Sequence, residues 1–263
     1  MEFEILPTEL LEQYKLVIDD DALTAAFNLL HDAELSTEGF SFYTSVASVY
    51  SGKIEGENID LDSFIKYKRF GIEFEPDYTR KIDDLYLAYQ FAKEHKPGQE
   101  SIAKAHTILA KHIVHKNWQG KLRTQNMYVT TPDGKIEYVA ASPFDVPAEM
   151  DKLYRDIDKL LEENLKINEV FYFASLIHLV FVKIHPWNDG NGRSARLLEK
   201  WFVAQKLGDE SWFMQSEKYY YLHHQTYYRH IRELGIEYPD LDYSRALPFL
   251  LMPPGALNAE STK

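Results

Sequence analysis

The chain has 263 residues, of which 45% are hydrophobic and 27% are charged, an ordinary globular composition with enough length for a sizeable core. Its net charge of −12 argues against a surface that coats nucleic acid, and its lack of cysteine excludes disulfides and thiolate metal sites. The acidic residues 1–4 do not resemble a signal peptide, and the most apolar run, residues 170–184, is too short to span a bilayer. We therefore expect a soluble, cytoplasmic protein that binds neither nucleic acid nor a membrane.

The N-terminal part of the chain carries helical patterns. The earliest opens on three consecutive aspartates at 19–21, whose charges suit the positive end of a helix dipole. The second ends at Gly56, a residue that suits a helix C-cap, and the last two are divided by the strong breaker Pro97-Gly98. The predicted helices cover residues 19–35, 40–55, 60–68, 77–95 and 99–117.

The pattern changes to β over residues 127–141, where two β-rich runs flank the turn Thr131-Pro132-Asp133-Gly134 and predict a hairpin. Helical patterns then return, and one of them is apolar on nearly every face, as in a helix at the centre of a bundle. Within it we expect His178 to be a core histidine with one hydrogen-bonded partner. We predict an all-α bundle with one projecting hairpin, its later helices at residues 146–164, 168–184, 191–206 and 217–234.

Residues 185–196, which follow the apolar helix, combine groups that suit phosphate chemistry. Gly190 and Gly192 let backbone N–H groups turn inward without a Cβ, and such a nest at a helix N-terminus is a preorganised anion site. Arg193 and Arg196 lie three residues apart on one helix face, from which both can clamp phosphate oxygens. The segment therefore predicts a site for a ligand that carries phosphates.

The same segment contains one base and one carboxylate. His185 can titrate near neutrality, which suits a general base for a hydroxyl nucleophile. Asp189 offers a hard oxygen ligand, which suits Mg²⁺ that bridges phosphates. The alternative is a structural turn with a satisfied histidine and solvated arginines. The combination of base, metal ligand, glycine nest and two cations within a dozen residues favours an enzyme site.

The segment from His185 to Arg196 closely resembles the signature of the Fic family, H-P-F-x-D/E-G-N-G-R-x-x-R, with Trp187 where Phe is usual. That position normally packs inward in the family, so another aromatic residue is compatible with it. Residues 120–125 and the hairpin 127–141 resemble the family's flap. The resemblance implies a Fic-type helical bundle in three parts: an N-terminal helical region 1–97, a catalytic core 98–235, and a C-terminal helix and tail 236–263.

The resemblance implies transfer of AMP from the substrate ATP to a Ser, Thr or Tyr hydroxyl of a target protein, with Mg²⁺ as cofactor and pyrophosphate released. His185 would deprotonate the hydroxyl, and Asp189 would hold Mg²⁺ across the α- and β-phosphates. The Asn191 side chain would join backbone N–H groups in the anion hole. A tyrosine pair after the signature resembles one that the family places near the nucleotide. The implied nucleotide-binding residues are Asp189, Gly190, Asn191, Gly192, Arg193, Arg196, Tyr227 and Tyr228.

The hairpin predicts how a target protein would be held. An exposed hairpin presents free backbone groups, so we expect it to pair with an extended segment of the target as an added strand. The flap residues at this contact would be Met127, Tyr128 and Val129. Self-modification and assembly into a homodimer stay open.

Glu55 falls at the C-terminal end of a predicted helix, where the dipole disfavours a carboxylate. It is either a solvated surface residue or one whose partner lies elsewhere in the fold. Ser51-x-x-x-Glu55-Gly56, on a helix at about 40–56, matches the family's inhibitory motif, S/T-x-x-x-E-G/N. The resemblance implies that Glu55 pairs with Arg196, obstructs the γ-phosphate and makes the enzyme autoinhibited. Two other functions stay open: Glu55-dependent removal of AMP from a modified protein, and a nucleotide-binding regulator without turnover.

Overall fold

The computed structural model describes residues 2–130 and 136–258. Within these ranges the chain forms a helical bundle with one antiparallel two-stranded hairpin, which confirms the predicted fold class. The helices are α1 (Leu11–Val17), α2 (Asp20–Phe27), α3 (Phe42–Ile54), α4 (Leu61–Phe70), α5 (Pro76–Lys93), α6 (Gln99–Leu109), α7 (Val146–Glu162), α8 (Ile167–Ile184), α9 (Asn191–Leu207), α10 (Ser216–Leu222), α11 (His224–Glu233), α12 (Leu247–Leu250) and α13 (Met252–Asn258). The strands are β1 (Tyr128–Thr130) and β2 (Ile136–Val139).

Helix α8 is the centre of the bundle. It packs mainly against α9, and α1, α2, α7 and α12 cover its other faces. By length and composition alone its 18 residues could cross a membrane, which corrects the expectation that this run is too short. However, 89% of them are buried inside the protein, as expected for an all-round apolar core helix. The loop that follows α8 therefore starts from a firmly packed element.

Helix α3 places the proposed inhibitory residues against the core. The Ser41 side chain accepts a hydrogen bond from the Thr44 N–H at 3.3 Å and caps the start of the helix. The helix packs between α5 and α10, and Ser51 in its last turn is fully buried. Glu55 is its C-cap, and Gly56 follows with a φ of +92°, a backbone conformation that suits glycine.

Two predicted helices are shorter than their sequence patterns because local turns compete with them. Helix α2 ends at Phe27 instead of residue 35, and the Asp32 carboxylate then accepts hydrogen bonds from the chain just after it. Helix α6 ends at Leu109 instead of residue 117. There the Gln119 amide donates to two nearby backbone carbonyls, at 3.2 and 3.1 Å, and stabilises a turn.

The C-terminal part differs from prediction in one respect. The single helix predicted for residues 217–234 is two helices, α10 and α11, broken at His223, whose ψ of 32° is not helical. The spacing of tyrosines suits one continuous helix, so the sequence pattern did not indicate the break. The segment predicted as a C-terminal helix and tail contains α12 and α13, and it belongs to the core because Phe249 and Leu250 are fully buried.

The hairpin is attached to the core through its second strand. Val129 of β1 lies opposite Tyr138 of β2, with a register irregularity just after Val129. On the other side of β2, the Val139 N–H donates to the Ile236 carbonyl at 2.8 Å. Among the described residues, β1 therefore has the outer edge of the sheet. The predicted turn at residues 131–134 lies outside the described residues.

Candidate active site

The loop between α8 and α9 turns through two residues with positive φ. His185, the C-cap of α8, has a φ of +54°, and Gly190, the N-cap of α9, has a φ of +81°. A Cβ at Gly190 would lie 3.1 Å from the Leu109 side chain, so both the dihedral and the space require glycine. The N–H groups of the first turn of α9 then form the kind of helix N-terminus that binds anions.

Asn191 braces this loop from within. Its side-chain oxygen accepts from the Trp187 N–H at 2.8 Å, and its side-chain nitrogen donates to the Trp187 carbonyl at 2.9 Å. Only 2% of Asn191 is exposed. Its side chain therefore holds the shape of the loop, whereas the resemblance assigned it to the anion itself.

His106 on α6 supports the same loop, and sequence reasoning missed it. Its ring stacks on Trp187, with centroids 4.4 Å apart, and Trp187 packs inward as expected. The Gly120 N–H donates to Nδ1 at 2.8 Å, so Nε2 carries the proton and donates to the Asp189 carbonyl at 2.9 Å. Burial lowers the pKa of His106 to about 4, and the ring is neutral at physiological pH.

His185 is a neutral ring beside Tyr138 of the hairpin's second strand. Burial lowers the pKa of His185 to about 4, so the ring has a free lone pair at physiological pH. Its Nδ1 lies 3.1 Å from the Tyr138 hydroxyl and 3.3 Å from the Val182 carbonyl. A neutral imidazole held through Nδ1 can present Nε2 as a proton acceptor.

Arg123 is a second residue that sequence reasoning did not single out. It is 1% exposed, and its guanidinium donates only to backbone carbonyls among its described partners. Nε donates to the backbone carbonyl of His185 at 2.7 Å. The terminal nitrogens donate to backbone carbonyls at both ends of the hairpin, those of Gln125 and Ala141. This one cation therefore fixes the backbone of the base relative to the hairpin. A buried arginine without a carboxylate partner has no local sequence pattern that would reveal it.

The Glu55 carboxylate lies on the anion-binding face of the loop. Its Oε1 is 2.6 Å from an Arg196 terminal nitrogen, so the expected pair is present. A Cβ added at Gly192 would lie 2.5 Å from the same oxygen, which places the carboxylate directly against the glycine nest. Arg196 also donates from Nε to the Ser51 hydroxyl at 2.8 Å. Burial would raise the pKa of Glu55, but the charges of Arg196 and Arg193 outweigh it and lower the pKa.

Glu57 forms an equivalent pair that the sequence did not indicate. Both of its carboxylate oxygens lie 2.5 Å from one terminal nitrogen of Arg193. Both side chains are nearly buried, with 6% of Glu57 and 5% of Arg193 exposed. Lys81 approaches the same carboxylate at 3.7 Å. The segment that ends α3 therefore supplies one carboxylate to each arginine of the signature.

The two tyrosines of the predicted nucleotide pair lie in different places. Tyr227 is 1% exposed and stands behind Arg196, whose NH1 donates to its hydroxyl at 3.5 Å. The same hydroxyl is 2.9 Å from His178, whose other ring nitrogen contacts Glu199 at 2.6 Å. His178 thus has two partners instead of the one expected. Tyr228 lines the open cleft described next.

A cleft of about 780 Å³ opens between the hairpin, the end of α3 and α11. Asp189 is exposed, and its side chain accepts from the Gly190 N–H at 2.6 Å. No cluster of three or more metal-binding side chains occurs within the described ranges. The Asp189 carboxylate offers oxygen ligands of the kind that could hold Mg²⁺. Of the predicted flap residues, Val129 lines the cleft, Tyr128 is 61% exposed and Met127 is half-buried. The cleft is lined by Ile54, Glu55, Gly56, Val129, Thr130, Glu137, His224, Gln225, Tyr228 and Arg232.

Residues 98–203 match the model of the Fic/DOC family. A stretch of 79 residues is 35% identical to the protein adenylyltransferase Fic of Nematostella vectensis. That stretch is 30% of this chain and 16% of the relative, so the likeness concerns a small part of the relative's length.

Three solved structures have a similar fold at low sequence identity. A Fic family protein from Desulfovibrio desulfuricans G20 gives a TM-score of 0.76 at 18% identity over the whole of this chain and 77% of that one. A Fic-domain signaling protein from Bacteroides thetaiotaomicron VPI-5482 gives 0.67 at 19% identity, over 93% and 94% of the two chains. Residues 134–508 of Fic-1 from C. elegans give 0.67 at 17% identity, over 96% and 72%. These likenesses show the fold.

Proposed function

We propose that this chain, in which residues 98–203 form a Fic/DOC family domain, is an autoinhibited protein adenylyltransferase that moves AMP from ATP to a hydroxyl of a target protein. One observation carries the proposal. A carboxylate, that of Glu55, sits against the glycine nest at Gly192 and 2.6 Å from Arg196, at the edge of an open cleft. A pocket that holds one anion in this way suits the phosphates of a nucleotide.

In the proposed reaction, the hydroxyl oxygen of a target Ser, Thr or Tyr bonds to the α-phosphorus of ATP. The bond from that phosphorus to the β-phosphate oxygen breaks, and pyrophosphate leaves. The hydroxyl proton passes to Nε2 of His185, which is neutral because burial lowers its pKa. The backbone N–H groups of the nest would stabilise negative charge on the transferred phosphate. Asp189 would hold Mg²⁺, which when bound neutralises charge on the α- and β-phosphates.

The proposal includes autoinhibition by two carboxylates. Glu55 holds Arg196, and Glu57 holds Arg193, the two side chains proposed to grip the β- and γ-phosphates. A nucleotide that enters the cleft would meet like charge and would lack both cationic partners. Its α-phosphate would then be out of line with the incoming hydroxyl, and a misplacement of roughly 1 Å can cost about 100-fold in rate.

A second candidate is removal of AMP from a modified protein. The state of Glu55 favours this reaction. The pKa of Glu55 is lowered, and its side chain remains 24% exposed beside the nest. An ionised carboxylate in that place could activate water. A regulator that binds nucleotide without turnover would have little use for a neutral base at His185 beside that nest.

The test uses α-labelled ATP, Mg²⁺ and host lysate with the wild type, Glu55→Gly and His185→Ala. Label on a protein band that grows with Glu55→Gly and vanishes with His185→Ala supports the transferase. Loss of label from a pre-modified protein that requires Glu55 supports AMP removal. Nucleotide binding without either change would leave only the regulator.

A further inference from the structure

We infer that Tyr138, on the second strand of the hairpin, is a positioning residue that fixes which ring nitrogen of His185 carries the proton. This inference rests on the proposed function only for the use made of the base. The arrangement itself stands on three atoms that lie close together: the Tyr138 hydroxyl, Nδ1 of His185 and the carbonyl oxygen of Val182.

The Val182 carbonyl can accept hydrogen bonds from side chains because of Pro186, the residue that follows His185. In an α-helix this carbonyl would accept from the N–H four residues later, which here belongs to Pro186 and does not exist. The Tyr138 hydroxyl donates to it at 3.1 Å, and Nδ1 of His185 approaches it at 3.3 Å. The His-Pro sequence of the signature therefore creates an acceptor next to the base.

The triangle selects one tautomer of the ring. The Tyr138 hydroxyl donates its proton to the Val182 carbonyl, so toward Nδ1, 3.1 Å away, it presents only a lone pair, and an unprotonated Nδ1 would bring two acceptors together. The carbonyl itself is the more distant acceptor, 3.3 Å from Nδ1. With Nδ1 protonated, its N–H faces the Val182 carbonyl and the Tyr138 oxygen, while the Tyr138 O–H donates to the same carbonyl. All three groups are then satisfied, and the lone pair is on Nε2. That nitrogen is the one that can take the proton from a hydroxyl.

The tyrosine is itself held firmly. It is 3% exposed, and Lys183 Nζ lies 4.4 Å from the centre of its ring while donating to the Gly235 carbonyl at 3.0 Å. Burial raises the pKa of the Tyr138 hydroxyl well above its ordinary value, so it remains a donor. In the strand register Tyr138 lies opposite Val129, on the strand expected to meet the target.

The test replaces Tyr138 with Phe and uses two readouts. The protein is labelled with ¹⁵N-histidine, and the His185 resonances are assigned by their loss in His185→Ala. In the wild type these resonances should show a single tautomer, with the proton on Nδ1. In Tyr138→Phe they should shift toward a mixture with the Nε2–H form. In the Glu55→Gly background, Tyr138→Phe should lower the labelling kcat roughly 10- to 100-fold with the KM for ATP unchanged.

Tyr172→Phe is the matched control, because Tyr172 also is buried and donates its hydroxyl to a backbone carbonyl, that of Pro7, at 3.0 Å. It should change neither the His185 resonances nor kcat. A Tyr138→Phe protein with the wild-type tautomer overturns the inference, whatever its activity. Wild-type protein that shows the expected tautomer but labels nothing would instead count against the proposed function alone.

Discussion

The two sides of the loop 185–190 are held by different kinds of contact. On its back, away from the cleft, Arg123 donates to the carbonyl of the base, and the neutral ring of His106 donates to the carbonyl of Asp189. On its front, Glu55, which lines the cleft, and the buried Glu57 form ion pairs with the arginines of α9. The back contacts use backbone acceptors, whereas each arginine of the front is paired with a carboxylate.

This difference separates a fixed part of the site from an exchangeable part. A nucleotide phosphate can take the place of a carboxylate on an arginine because both offer oxygens to the same donors. A phosphate cannot replace a backbone carbonyl on Arg123, whose side chain is 1% exposed. We therefore expect changes at the back to affect folding and geometry, and changes at the front to affect regulation.

The largest expected effect comes from the base that the back contacts position. His185→Ala should lower the transfer rate by about 10²–10⁴-fold, because the general base is lost. ATP binding should be largely kept, since the nest and the arginines bind the phosphates. The two quantities are the labelling rate in the Glu55→Gly background and the ATP dissociation constant by calorimetry. Near-normal labelling by a folded His185→Ala protein would remove His185 from the mechanism.

The front predicts a second, smaller effect at Glu57. A hydrogen bond between Arg193 and a phosphate would contribute about 1.5–3 kcal/mol, as is usual for bonds to charged groups. Freeing Arg193 with Glu57→Gln should therefore raise the labelling rate about tenfold, and this increase should add to that of Glu55→Gly. Without nucleotide the variant should melt earlier, because a buried arginine has lost its carboxylate. ATP should then raise its melting temperature more than that of the wild type.

Glu94→Gln, a change at an exposed residue at the end of α5, is the matched control and should leave labelling and the ATP response unchanged. If ATP stabilises Glu57→Gln no more than the wild type, then Glu57 is a structural partner of Arg193 and does not compete with phosphate.

The outer strand predicts a smaller effect again. Tyr128→Pro removes a backbone donor from the outer edge of β1, because the residue opposite it, Val139, turns its own N–H away from β1 to Ile236, as in a pair without mutual hydrogen bonds. One hydrogen bond contributes about 1 kcal/mol, so target labelling should fall about fivefold. ATP binding should be kept. Tyr128→Ala keeps the donor and should lose much less. Equal losses in the two variants would mean that the side chain, and not strand pairing, matters for the target.

The last effect is on stability instead of turnover and concerns the back alone. The pKa of His106 is about 4 in the folded protein, below its ordinary 6.5, so the unfolded chain binds the proton more readily. The neutral ring's contribution to the free energy of unfolding is complete above pH 6.5 and is lost as the pH falls toward 4. The free energy of unfolding should fall by roughly 3 kcal/mol over that range. Chemical unfolding of wild type and His106→Gln at pH 7 and pH 4.5 measures it. A wild-type loss no larger than that of the variant would contradict the assignment.

The sequence predicted the front of the site better than its back, and the reason is physical. His185, Gly190, Gly192 and the arginines belong to one short segment, in which spacing along a helix and glycine dihedrals already limit the geometry. The pairing of Glu55 with Arg196 could be anticipated from a family motif.

The missed residues act across long separations. His106 is 83 positions from Asp189, Tyr138 is 47 from His185, and Glu57 is 136 from Arg193. Each is a single side chain in a segment whose local pattern is that of any packed helix, strand or loop. Only the packing of α6, the hairpin and the end of α3 onto the α8–α9 loop gives them a role. The break at His223 was missed for a similar reason, since the local spacing suits one helix.

The most direct test of the account is the initial labelling rate at saturating α-labelled ATP for wild type, Glu55→Gly, Glu55→Asp and Arg196→Ala. If the front carboxylate occupies the place of a phosphate, Glu55→Gly should be faster than wild type by about 100-fold, mainly through turnover. Glu55→Asp keeps the charge on a shorter side chain and should give partial release. Arg196→Ala should stay slow, because the nucleotide needs that cation as much as Glu55 does. A Glu55→Gly protein that is folded, binds ATP and labels no faster than wild type would contradict the account.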